Sequence, residues 1–94
     1  MNQFEQRQYE NADKALHQLK SQARINNAWQ LQAVSCKPNE ESNSYPVCLI
    51  SFVKTEQPDK PYQIEIEARS DDDENVKNIK QRLLEISREE SKAT

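Results

Sequence analysis

Val47-Cys48-Leu49-Ile50-Ser51-Phe52-Val53 is the stretch on which the fold turns. Seven residues, mostly β-branched or aromatic and apolar at both alternating positions, suit the middle strand of a sheet. They are far too few to span a membrane. Downstream, Tyr62, Ile64, Ile66 and Ala68 alternate with Gln63, Glu65, Glu67 and Arg69, the period of a strand with one dry and one wet face. Between them lies TEQPDKP (55–61), a turn with Pro58-Asp59 as its expected tip. Folding this hairpin about Gln57 sets Phe52 opposite Tyr62, Ile50 opposite Ile64 and Cys48 opposite Ile66. The even-numbered side chains of the middle strand then face the core, and Val47, Leu49 and Val53 face the other way.

Upstream, Trp29, Leu31 and Ala33 alternate with Gln30 and Gln32, a second half-buried strand. It joins the middle strand through the polar connection PNEESNS (38–44). Carried on without interruption, this alternation puts Val34 and Cys36 on the outer face. Cysteines on opposite faces of one sheet cannot meet disulfide geometry, so Cys36 and Cys48 are expected to remain unbonded.

Helices flank the strands. Over residues 4–25, Tyr9, Ala12, Leu16, Leu19 and Ala23 recur at steps of three and four, an apolar stripe, with Asn26-Asn27 as the expected stop. At the other end Ser70 precedes Asp71-Asp72-Asp73-Glu74; a serine cap and acids opposing the positive helix end form a start signal. Val76, Ile79, Leu83 and Ile86 follow at helical spacing, with Leu84 on the flank. The expectation is an α+β domain of order α-β-β-β-α. Its three-stranded antiparallel meander carries both helices packed on one face. One small domain accounts for residues 1–94, with residues 1–3 and 88–94 expected to fray.

Composition narrows the chemistry. The chain of 94 residues has no glycine, one histidine (His17), two cysteines and a net charge of −3. Without glycine neither a P-loop nor a dinucleotide fingerprint can be written. His17 has no companions at metal-ligand or relay spacing, and the acidic run 71–74 lacks the central glycine of a calcium loop. No catalytic residue, cofactor or metal site is therefore assigned; the enzymatic alternative is a thiol nucleophile at Cys36. The opening MNQFEQRQYE has no basic cluster before an apolar run. Two cysteines are too few for a disulfide scaffold, so a cytoplasmic location is expected.

The element order resembles that of the double-stranded RNA-binding domain, a basic module whose second helix opens with a lysine-rich phosphate grip. The likeness covers order alone. Here that helix opens SDDDE, whose charge repels phosphate, and the sequence pI is near 5.2. A nucleic-acid role would fall to Arg7, Lys14, Lys20 and Arg24 on the first helix. The leading expectation is a non-catalytic protein-binding module: an adaptor, inhibitor or regulatory subunit of the kind common among bacterial and phage accessory proteins. Its contact surface would be an edge strand or the uncovered sheet face, with Val34, Val47, Leu49 and Val53 flanked by Gln32 and Glu65. The occupant would be another protein or a second copy of the chain, with no membrane or small-molecule substrate.

Overall fold

A computed structural model describes residues 3–38 and 45–92. The order is α1 (Gln3–Ser21), β1 (Trp29–Lys37), β2 (Val47–Lys54), β3 (Gln57–Glu67) and α2 (Asp72–Lys92). The strands form an antiparallel meander with β2 in the centre. Helix α1 packs on β1, α2 on β3, and the helices on each other. The expected α-β-β-β-α architecture is the one observed. Residues 39–44 of the first strand connection lie outside the described residues, as do Met1, Asn2, Ala93 and Thr94 of the ends expected to fray.

Parity in β2 follows the alternation of its side chains. Cys48, Ile50 and Phe52 have no exposed surface and pair with Ile66, Ile64 and Tyr62. They meet Ala12, Ala15, Leu16 and Leu19 of α1 and Val76, Ile79 and Leu83 of α2 in one core cluster. Trp29 closes one end, its ring edge-on to Tyr62 at 5.2 Å, with the Lys54 ammonium 5.4 Å from the indole centroid.

The second hairpin differs at its tip. Lys54 pairs with Gln57, so Thr55-Glu56 makes the turn, and Pro58-Asp59 lies within β3. Between the Phe52–Tyr62 and Lys54–Gln57 pairs, β2 has one residue and β3 has four. The excess is accommodated as an irregularity bounded by Pro58 and Pro61, two residues with no N–H for a ladder.

Strand β1 overturns three expectations at once. Its register slips between Leu31 and Ala33, leaving Gln32 as an extra residue. Such a bulge reverses the facing of every residue beyond it. Ala33 therefore pairs with Ser51 on the outer face and is exposed, whereas Val34 pairs with Ile50 and packs against the core. Cys36 pairs with Cys48 and is bonded to it, Cα to Cα 4.0 Å. The Cys36 N–H turns out of the ladder and donates to Glu5 Oε2 of α1 at 3.0 Å. The cysteines thus occupy a non-hydrogen-bonded pair, where opposed side chains stand closest.

The helix ends depart from expectation as well. Helix α1 stops at Ser21, before Asn26-Asn27. Ala23 takes φ 56°, and the Arg24 N–H donates to the Leu19 carbonyl at 2.9 Å. That closure usually uses glycine, which this chain lacks. At α2 the cap is Asp71 in place of Ser70: its Oδ1 accepts from the N–H groups of Asp73 and Glu74 at 3.0 and 3.4 Å. Helix α2 also runs on to Lys92, through residues expected to fray. Glu90 holds this turn down, accepting from Lys54 Nζ at 2.8 Å and from the Tyr62 hydroxyl.

Polar side chains join the two helices. Gln8 and Asn11 are buried on α1, while Tyr9 of the anticipated stripe stays partly exposed. Asn11 Nδ2 donates to Gln8 Oε1 and to Asp72 Oδ1, and Arg7 Nε donates to the same Asp72 oxygen at 2.7 Å. Hydrogen bonding from Arg7, then Asn11, holds the Asp72 carboxyl below its ordinary pKa. Lys54, then Tyr62, does the same for Glu90. Both carboxylates ionise more readily folded than unfolded, so their contribution is present above the ordinary carboxylate range and is lost as pH falls through the lowered folded values. Thermal midpoints should hold level from pH 7 to about 5 and fall below about pH 4. An Asp72→Asn/Glu90→Gln double variant should show a shallower acid limb; an identical limb would remove these two groups as its cause.

Candidate docking face

With both helices on one side, no helix or strand among the described residues covers the opposite face of the sheet. Strand pairing arranges it in rows. Lys37, Val47 and Glu67 form the first, Ser35, Leu49 and Glu65 the second, and Ala33, Ser51 and Gln63 the third. Gln30 and Val53 complete the strip. Pleating puts paired residues of neighbouring strands on the same face, so these rows follow from register alone.

Burial along the strip is graded. Val53 is 7% and Ser51 7% exposed although no element among the described residues covers them; Gln63 Nε2 reaches the Ser51 hydroxyl at 3.3 Å. Val47 and Leu49 are half-buried. They floor a shallow hollow of about 200 Å³ walled by Ser35, Lys37 and Glu65. Long polar side chains screen one end of the strip and leave an apolar floor at the other.

Of the residues expected here, Val47, Leu49, Val53 and Glu65 share the face. Val34 does not, because the bulge turns it into the core, and Gln32 is the exposed extra residue of the bulge itself. Lys37 and Ser35 join the face for the same reason, and uninterrupted alternation missed them. Their signal was present: apolar residues at 29 and 31 and then at 34 and 36 mark a slip of one residue between Leu31 and Val34.

The edges of the sheet are less inviting. On β1 the bulge twists the strand and Glu5 occupies the outward Cys36 N–H; on β3 Pro58 and Pro61 remove donors. Bulges and edge prolines are means by which sheets deter strand addition.

The basic residues of the nucleic-acid alternative are dispersed. Arg7 bonds Asp72 and also donates to the Ser70 carbonyl at 2.8 Å. Lys14 is exposed, Lys20 is half-buried in the last turn, and Arg24 lies beyond the helix. The Cys36 thiol is not free, since both cysteines are in the disulfide. His17 is exposed on α1. Among the described residues no cluster of three or more His, Cys, Asp or Glu side chains is disposed to hold a metal. No helix among them is long and apolar enough to cross a membrane. No known protein family, curated protein or solved structure matches the chain.

Proposed function

We propose that this protein is a non-catalytic binding module that docks a protein partner on the open sheet face, over Val47 and Leu49. The observation carrying this reading is the hollow between Lys37 and Glu65. It is an apolar floor with charged walls, on the one side of the sheet to which neither helix contributes. Apolar centres with polar rims are the usual anatomy of a contact surface. The nucleic-acid reading is weaker because Arg7 is committed to Asp72 and the second helix opens on acids.

The Cys36–Cys48 disulfide bears on where the module works. Structural disulfides persist in oxidising compartments and are rare in the cytosol of mesophiles. The protein is therefore proposed to act outside a reducing cytoplasm, in place of the cytoplasmic location expected from two cysteines.

Leu49→Asp tests the docking reading. Complexes pulled down from the native host with the wild-type chain, and sized by mass measurement, should be lost with this variant, while helical circular dichroism is retained. A carboxylate facing an apolar partner without a hydrogen bond costs several kcal/mol or forces its own protonation. Complexes that survive the substitution undiminished would remove the face from consideration.

A further inference from the structure

The rows of the open face are complementary to themselves, and we infer that the occupant of this face is a second copy of the chain, stacked sheet on sheet. This rests on the docking reading above and adds the partner and its orientation. Within the paired strands the basic group of the face, Lys37, is on β1, and its acidic groups, Glu65 and Glu67, are on β3. A two-fold axis above β2 and running along it exchanges the β1 and β3 columns. It sets Leu49 on Leu49 and Val47 on Val47 of the partner copy. Lys37 of each copy then falls over the Glu65–Glu67 pair of the other, and each Ser35 hydroxyl can donate to a facing Glu65 carboxylate.

The alternative two-fold, across the strands, stacks β3 on β3 and brings four carboxylates together. Edge-to-edge pairing of β3 with itself likewise opposes like charges. Only the axis along β2 pairs unlike columns, and it gives the closed, isologous contact usual for dimers. Aligned sheets pack in this way with strands within about 30° of each other.

Neither Lys37 nor Glu65 enters an ion pair within the chain among the described residues, so both are available across the contact. Glu67 is shared with Arg69, 3.3 Å away, which leaves Glu65 the stronger attractor. Three strands about 4.8 Å apart cover less than the roughly 800 Å² per partner of a standard interface. A contact of this size belongs with weak, transient associations, and micromolar or weaker affinity is expected.

Sedimentation of the intact, oxidised chain from 5 μM to 1 mM provides the test. The wild type should shift from monomer to dimer across this range. Reversing one column with Lys37→Glu should weaken association about tenfold or more, since the two-fold brings the changed residue into the interface twice, once from each copy. Adding Glu65→Lys and Glu67→Lys to Lys37→Glu should restore it to within about threefold of wild type. Retained circular dichroism and Trp29 fluorescence establish that each variant is folded. A monomer throughout, or a dimer indifferent to both the reversal and the restoring swap, overturns the second copy as occupant. The two readings fail separately. A monomer whose pulled-down complex is lost with Leu49→Asp keeps the docking face and excludes self-association, whereas a dimer insensitive to Leu49→Asp condemns the face itself.

Discussion

Truncating Phe52 to alanine is expected to remove about 3–5 kcal/mol of folding stability, the range for emptying a buried aromatic site. Phe52 has no exposed surface and sits mid-sheet, with Leu31 and Tyr62 as its strand neighbours. Its surroundings cannot readily collapse into the space, because both flanking strands are tied by their ladders and Trp29 is braced against Tyr62. A domain of this size holds roughly 5–14 kcal/mol in total. The variant should therefore melt more than about 10 °C below wild type, or be unfolded at 25 °C. Urea unfolding followed by far-ultraviolet circular dichroism provides the check. A loss under about 1 kcal/mol would mean that the even-numbered face of β2 is not the core.

Removing the disulfide should have the next largest effect. Replacing Cys36 and Cys48 together by alanine, or reducing the wild type, is expected to cost about 2–4 kcal/mol. The bond spans 12 residues of sequence and joins β1 to β2 where the first strand connection begins and ends. Without it the unfolded chain regains the freedom of that segment, and the β1 end beyond the bulge is held by its ladder and by Glu5. Chemical denaturation with and without a dithiol reductant measures the difference. Intact mass, two hydrogens heavier after reduction, confirms the state of the thiols. Equal midpoints for the oxidised and reduced chains would show that the bond constrains nothing the strand pairing does not already hold.

The element order, the parity of β2 and the register of the β2–β3 hairpin beyond its tip were legible in the sequence. VCLISFV and YQIEIEAR each present an unbroken period of two, and that periodicity is a property of neighbouring residues, readable without a partner. The candidate site was legible in part. Leu49, Val47, Val53 and Glu65 fall on the face because they lie on strands with unbroken alternation. Lys37 and Ser35 were hidden, and Val34 misassigned, by one extra residue in β1.

Polar anchors were harder to read. Gln8 and Asn11 look like solvent-facing helix residues until Asp72 supplies a partner 61 residues from Asn11. Glu90 lies in a polar tail that seems free to fray until Lys54 and Tyr62 are placed beside it.

The chain by itself determined that two helices would share one side of a three-stranded meander, because apolar spacing of three to four or of two dictates which side of each element avoids water. Only the tertiary structure decided where β1 changes phase, that the two sulfurs meet, and which charges border the uncovered sheet. A bulge is chosen by competition between the whole ladder and the helix packed on it. Moving the slip by a residue would alter few local preferences, but it would change every cross-strand neighbour beyond that point.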